Sequence, residues 1–479
     1  PIIGHLRYLL EFVGPELRQY IVTGNDAERP FSRDQRSWIY ASAKHQNSYS
    51  GFGTDNDLEQ TPGQIIILHD VFPAPEPAAN TPSAAPDFFL PSAKVIGARN
   101  GRTHAFRPNS LVNISGMSFG ALGPRAVEAL NRGAAIAGCL HNTGEGGLTP
   151  HHQHGADLVF QIGTAYFGCR DEAGHFSLDR LREVVERNPV RMIEIKLSQG
   201  AKPGHGGILP GAKVTREIAA WRGVAPGVDC VSPPGHSAFR SVPELVAFIE
   251  QIADATGLPV GIKSAVGTLD FWHELAQEMR SGGGPDYILI DGGEGGTGAA
   301  PFSFADHVSL PFKVAFTSVY RIFADAGLHR DVAFIGSARL GFPEQALLAL
   351  ALGCDMINVG REAMMTVGCI QSQRCHTGHC PTGVATQSPW LNRGLDPISK
   401  AERCARYITT LREELLALSR TCGHAHPALV DPWQVALLDT NFAAQPAGDL
   451  FNYNRDWHDV SDELRAELDR IMLGAPVSA

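Results

Sequence analysis

A chain of 479 residues with an ordinary apolar fraction of 43% is long enough for one large α/β barrel with appended segments, or for two to three domains. Its net charge of −10, with no basic run, argues against nucleic acid as a partner. Nine cysteines in this length do not resemble a secreted disulfide framework and suit a reducing compartment; no signal peptide and no apolar run of membrane-spanning length is evident. The cytoplasm is therefore the expected location. The chain opens at Pro1 rather than methionine, which leaves open an upstream segment, including one that anchors the protein to a membrane.

In chain order, residues 1–21 carry apolar residues at helical spacing, split by Gly14-Pro15. They read as a helical pair packed on the main domain, with a membrane-proximal segment as the alternative. The Pro- and Ala-rich stretch VFPAPEPAANTPSAAPDFF (71–89) marks a linker or surface excursion. Residues 1–90 are thus expected to form a helical and irregular N-terminal extension. From about residue 110, short β-branched runs end in glycine-rich turns and give way to helical patterns. There are eight: LVNISGMS (111–118), AAIAGCLHNTGEGG (134–147), LVFQIG (158–163), RMIEIKLSQGAK (191–202), PVGIKSAVG (259–267), DYILIDGGEGGTG (286–298), VAFIGSA (332–338) and DMINVGREA (355–363). Eight β/α units predict an α/β fold of the TIM (β/α)8 type over 91–397, with a long Gly/Pro-rich insertion at about 203–245. Residues 398–479 are expected to be a C-terminal helical segment packing on the barrel, with helices over 398–423 and 461–473.

Barrel active sites lie at the C-terminal ends of the strands. Gly295, Gly296 and Thr297 after the sixth run offer backbone that can approach a ligand closely. Gly336-Ser337 and Gly360-Arg361 end the seventh and eighth, where barrels commonly bind phosphate. Each glycine alone could simply make a tight turn. Lys263 ends the fifth run; a lysine on an apolar strand is costly to bury unless it meets an anion, either an electron-rich flavin edge, an acidic substrate, or both, and otherwise it reaches solvent at the strand mouth. Gln199 and Lys202 end the fourth run and could donate to a ring or a carboxylate. Glu145, inside the HNTGEGG turn, could move a proton, hold an amine, or be structural.

Cys369, Cys375 and Cys380 follow the eighth run as C-x5-C-x4-C, the last followed by Pro381. Three thiolates in twelve positions read as iron–sulfur ligands. Zinc sites usually pair C-x2-4-C knuckles with four ligands, and an odd cysteine count suits disulfides poorly. No fourth cysteine is near, which favours a three-iron cluster; Cys354 precedes the last strand and belongs at the opposite face. The nineteen histidines, among them His141, His151, His152 and His154, form no helical zinc pattern.

ISGMSFGALG, HNTGEGG, SQGAKPGHGG, PGVDCVSPPGH, DGGEGGTGAAP and CxxxxxCxxxxCPTGVATQ stand in this order over roughly 90–440, and the chain here resembles the flavin domain of glutamate synthases, most closely the stand-alone glutamate synthase-like flavoproteins. The resemblance implies a TIM barrel holding FMN and a 3Fe-4S cluster, and reductive amination of 2-oxoglutarate through 2-iminoglutarate to glutamate. It places Cys369, Cys375 and Cys380 on the cluster. It places Met117, Ser118, Gln199, Lys263, the Gly295–Thr297 turn, Gly336, Ser337, Gly360 and Arg361 on the flavin side, and Lys263 at the substrate, where Lys202 at the end of the fourth run is a further candidate. Lys263 and Glu145 are the expected catalytic pair. The implied partners are 2-oxoglutarate or a similar keto acid, ammonia or an amine, a separate glutaminase, and an external electron donor such as a ferredoxin or an NAD(P)H-dependent reductase. Two alternatives stay open: a synthase for another amine or keto acid, as in N-methylglutamate formation, and a non-catalytic electron-transfer subunit.

Overall fold

The computed structural model describes residues 8–10, 12–14, 17, 27–46, 49, 51–54, 56–58, 61–85, 87–458 and 460–473. Eight short strands close into a parallel barrel: β1 (Val112–Ile114), β2 (His141–Asn142), β3 (Leu158–Ile162), β4 (Val190–Lys196), β5 (Val260–Ser264), β6 (Tyr287–Asp291), β7 (Ala333–Ser337) and β8 (Met356–Val359). Each pairs with its sequence neighbours, and β8 closes on β1 through Asn358 opposite Asn113. These strands are buried on both faces, which is why they read as continuous apolar runs rather than alternating ones.

Three boundaries differ from the sequence expectation. The first half of the AAIAGCLHNTGEGG run belongs to the helix Pro124–Ala137, which ends at Gly138 with φ of 63°, so β2 is only His141–Asn142. The fourth strand stops at Lys196, leaving Gln199 and Lys202 in the loop beyond it. The insertion is not featureless: Ile208–Leu209 and Cys230–Val231 form a two-stranded ribbon around the helix Arg216–Arg222.

The helix Pro397–Thr421 starts on an Asp396 cap, whose carboxylate accepts from the Ile398 N–H at 3.1 Å. It buries Ala401, Cys404, Ala405, Ile408, Leu411 and Leu415 at helical spacing, packed along Pro124–Ala137. The approach is close: a Cβ on Gly133 would stand 2.7 Å from Cys404 Cβ. The segment after 397 also carries strands. Val435–Leu438 pairs with Ile65–Ile67 on one side and Ala444–Pro446 on the other. The Pro-rich stretch is a surface excursion tied to the end of the long helix, with the Ala74 N–H on Arg420 O at 2.9 Å. The helical pair expected over 1–21 lies largely outside the described residues. A helix that sequence reading did not single out, Arg33–Ala43, has a Ser32/Gln35 capping box and packs on the long C-terminal helix. Among the described residues no helix is long and apolar enough to cross a membrane.

Candidate active site

Side chains alternate in and out along each strand, so the inward positions stack in layers inside the barrel. The lower layers are apolar, with Val159, Met192, Tyr287, Leu289, Ile335 and Met356. Above them the lining turns polar. Glu194 is buried on β4 and accepts from Asn142 Nδ2 at 2.9 Å and Gln161 Nε2 at 2.5 Å. One step further along β4 and β5, the register sets Lys196 beside Lys263.

Two neighbouring ammonium groups repel unless anions flank them, and here they do. Lys196 Nζ reaches Glu145 Oε1 at 2.8 Å and Gln199 Oε1 at 2.6 Å. Lys263 Nζ lies 3.6 Å from Asp291 Oδ2, at the end of β6. The result is a row of four charges, Glu145–Lys196–Lys263–Asp291, two cations flanked by two carboxylates, across one half of the barrel mouth. Burial works against the Lys263 cation, but the charges of Asp291, Glu194 and Glu145 outweigh it and raise its pKa. Burial likewise disfavours the Glu145 carboxylate, and Lys196 overcomes this and lowers its pKa. Lys202 is buried with Nζ on Ala299 O at 3.0 Å; burial, and then Lys196, bring it down to about 8.

Three sequence-expected positions are thereby brought together: Lys263, Glu145 and Gln199. Lys196 and Asp291, which complete the row, were missed. Each lay within a run already identified, at the point where the strand ends, and alternation from the buried Glu194 and Leu289 would have placed both inward.

Glycines hold the surrounding loops together at van der Waals limits. Gly144, at φ 67°, packs its backbone on the Met117–Ser118 turn; a Cβ would stand 2.5 Å from the Ser118 nitrogen. At Gly200 a Cβ would stand 1.7 Å from Gly292 O, so the loops after β4 and β6 touch backbone to backbone. Gly295 and Gly296 lie in the same region, a Cβ on Gly296 meeting the Arg361 side chain at 2.7 Å, and Thr297 Oγ1 donates to Ala299 O at 3.2 Å.

The ends of β7 and β8 differ from the simple expectation of a glycine cradle. Ser337 follows the inward alternation, whereas Gly336 faces the helix layer. A Cβ there would meet Leu340 Cδ1 at 2.8 Å, Phe312 Cζ at 2.9 Å and Cys354 Sγ at 3.0 Å. Close packing outside the barrel accounts for that glycine. Gly360 is open, with only Ser115 Cβ at 3.6 Å. What this end of the barrel gathers is positive charge. Ala338 and Arg339, at φ of 151° and 52°, turn the chain sharply after β7. The guanidiniums of Arg339 and Arg361 both lie over the Phe31 ring, at 5.4 and 5.1 Å. Burial lowers the pKa of both, and for Arg339 the neighbouring Arg361 lowers it further. Among the described residues Arg339 Nε is buried without a partner, and its Nη2 donates to Gln35 Oε1 at 3.3 Å. A cavity of about 170 Å³ opens beside it, lined by Gln35, Lys313, Arg339 and Gln345, with Glu294 on one wall. A phosphate monoester would find donors here in the buried Arg339 Nε–H and the Lys313 ammonium, with the Glu294 carboxylate on the wall opposing it. Arg339, Lys313 and the helix that supplies Gln35 escaped sequence reading.

The cysteine loop leaves the short helix Arg361–Thr366 and curls through Gln371 and Gln373, at φ of 60° and 58°. Gln371 clamps the N-terminal segment, accepting from the Phe31 N–H and donating to Phe31 O, both at 3.0 Å; Tyr40 donates to Cys369 O at 2.9 Å. Cys380 is buried, and Cys369 and Cys375 are half-buried. Burial pushes the Cys369 thiol up to about 12 and raises that of Cys375, and in each case the other thiols of the loop push the same way. Among the described residues no three His, Cys, Asp or Glu side chains surround a point as the ligands of one metal ion would. Ligands of a multi-iron cluster each reach a different iron and stand further apart than that. The donor set is three thiols of one curled loop, the chemistry iron–sulfur centres use.

Comparison with known proteins follows this geometry. A family model described as the conserved region in glutamate synthase matches residues 92–425. The glutamate synthase large subunit-like protein YerD of Bacillus subtilis is 38% identical over 456 residues, covering 89% of this chain and 86% of that protein. The archaeal glutamate synthase [NADPH] of Methanocaldococcus jannaschii is 33% identical over 65% of this chain, and the archaeal-type glutamate synthase [NADPH] of Thermotoga maritima is 35% identical over 64%. The matched regions span 59% and 57% of those two proteins. A solved flavocytochrome b2 variant with pyruvate bound overlaps 90% of this chain and 86% of its own at 12% identity and a TM-score of 0.45, a likeness too low to bear on chemistry.

Proposed function

Because the chain belongs to the glutamate synthase family, we propose that it is an FMN- and iron–sulfur-dependent oxidoreductase that aminates 2-oxoglutarate reductively, through 2-iminoglutarate, to glutamate. The observation that carries this reading is the charge row Glu145–Lys196–Lys263–Asp291 at the strand ends, with Lys202 beside it. A dicarboxylate keto acid brings two negative charges. Lys263 and Lys202 are the cations placed to receive them, already buried and therefore preorganised. Glu145 Oε1, held ionised by Lys196, can keep an ammonium in place or accept a proton from it as the amine adds. Asp291 fixes the Lys263 ammonium in position.

FMN would lie over the strand ends, its phosphate against Arg339, Ser337 and the Gly360-Arg361 turn, its ring near Met117, Ser118, Gln199, Lys263 and the Gly295–Thr297 turn. The orphan Arg339 Nε supports the phosphate placement. Cys369, Cys375 and Cys380 would hold a 3Fe-4S cluster. When bound, the flavin supplies hydride chemistry and the cluster one-electron transfer. Electrons would come from an external donor, a ferredoxin or an NAD(P)H-dependent reductase, and nitrogen from ammonia, an amine or a separate glutaminase.

The test is anaerobic reoxidation of the reduced protein, followed by flavin absorbance. Reoxidation is expected with 2-oxoglutarate plus ammonia and not with ammonia alone, with glutamate formed in step. Reoxidation only with a different amine or keto acid would reassign the substrate. Bound cofactors with no response to any keto acid and amine would refute the synthase reading in favour of an electron-transfer subunit.

A further inference from the structure

Lys213 is 2% exposed, among the most deeply buried large side chains of the protein. It sits in the insertion, on the 3-10 turn Gly211–Lys213, and its Nζ donates to Ala121 O at 2.6 Å and to Cys375 O at 3.1 Å. The cysteine loop wraps its stem, a Cβ on Gly378 meeting Lys213 Cγ at 3.7 Å. Among the described residues no carboxylate lies in ion-pair range of it, unlike Lys196 and Lys263. A buried ammonium held only by carbonyl oxygens retains much of its desolvation cost. Its hydrogen bond to the Cys375 carbonyl and its contact at Gly378 set it within the loop that carries the Cys375 and Cys380 sulfurs.

We propose that Lys213 is the counter-cation and positioning residue of the cysteine site. Its ammonium offsets the negative charge that Cys375 and Cys380 carry when they hold the cluster, and so favours uptake of an electron there. The inference rests on the iron–sulfur reading above. Reduction adds one electron, taken from dithionite in the assay, to a site already bearing three thiolates, with no bond formed or broken. A fixed cation against two of those thiolates stabilises the more negative state. The insertion thereby carries this charge to a loop 162 residues away in sequence.

The test compares holoprotein prepared anaerobically from wild type, Lys213→Met and Lys213→Arg. Iron and acid-labile sulfide report loading, circular dichroism and flavin content report folding, and a potentiometric titration followed by electron paramagnetic resonance reports the potential. Wild type and Lys213→Arg are expected to agree within about threefold in the reduction equilibrium. Lys213→Met is expected to be at least tenfold harder to reduce, about 59 mV lower for a one-electron couple. If Lys213→Met loses the cluster altogether, Lys213→Arg retaining it at the wild-type potential also upholds the assignment. An unchanged potential in fully loaded Lys213→Met would overturn it, as would loss of the cluster in both variants, which would mark a steric role. Wild type lacking iron and sulfide would refute the cluster reading, and this inference with it, before any variant is compared.

Discussion

Removing the Lys263 charge separates its structural from its chemical role. Lys263 and Asp291 are 8% and 6% exposed in their side chains and 3.6 Å apart. At an effective dielectric of about 20, that distance corresponds to an attraction of about 4.6 kcal/mol. Desolvation of both ions opposes it, so the pair itself adds little, but breaking it strands a buried carboxylate and typically costs about 3–5 kcal/mol. Asp291 keeps one other partner, the Gly200 N–H at 3.0 Å, which holds Lys263→Met toward the lower end of that range. Denaturant unfolding of Lys263→Met, Asp291→Asn and the double variant forms the cycle. Each single change should cost about 3 kcal/mol or more, and the double variant should cost clearly less than their sum. The Lys263 pKa is raised, so its contribution is complete below the ordinary lysine value of 10.5 and disappears only as pH climbs above it through the folded-state value; between pH 6 and 9 the coupling should be flat. On the proposed placement of the phosphate at Arg339, the same variant should keep its FMN and lose ten- to hundredfold in 2-oxoglutarate-dependent reoxidation, the value of about 1.5–3 kcal/mol of one charge-assisted contact. Additive costs in the cycle, or Lys263→Met stability within 1 kcal/mol of wild type, would refute the ion-pair argument, and full reoxidation by that variant would remove Lys263 from the substrate site.

Three further outcomes are expected. Cys375→Ser should yield folded protein without stoichiometric iron and sulfide; full loading would place the cluster elsewhere. Arg339→Met should weaken FMN binding ten- to hundredfold in equilibrium dialysis, whereas Gly336→Val should cost about 1–3 kcal/mol of stability by crowding Leu340 and Phe312 while folded molecules keep their flavin; flavin loss confined to Gly336→Val would reverse the two assignments. Lys202, lowered to about 8, binds its proton less readily folded than unfolded, so it makes stability rise with pH between about 8 and 10.5, by about 3 kcal/mol if fully expressed. Lys202→Met should flatten that rise in pH-dependent urea unfolding, and an unchanged slope would argue that Lys202 is solvated.

Much of this architecture is legible in the chain itself. Eight β-branched runs ending in glycine turns mark the barrel, because a parallel strand buried on both faces has to be apolar along its whole length. The apolar stripe from Ala401 to Leu415 likewise announces the long C-terminal helix. Strand ends pointed to Lys263 and Glu145, and spacing to the three cysteines. Alternation of side chains, applied further, would have turned Gly336 outward and Lys196 and Asp291 inward. Other features depend on contacts that leave no local trace. Ile65–Ile67 becomes a strand only by pairing with Val435–Leu438. The helix Arg33–Ala43 is held by packing on the long C-terminal helix and by Gln371, which clamps Phe31 across 340 residues of sequence. The charges of Lys263 and Lys213 look alike in the chain. Closure of the barrel sets one against Asp291, and the fold of the insertion sets the other against the cysteine loop. Periodicity is imposed by chain neighbours and survives in the sequence; which charge compensates which is decided by the tertiary structure, because only folding brings the partners within a few ångströms and removes the water that would otherwise serve them both.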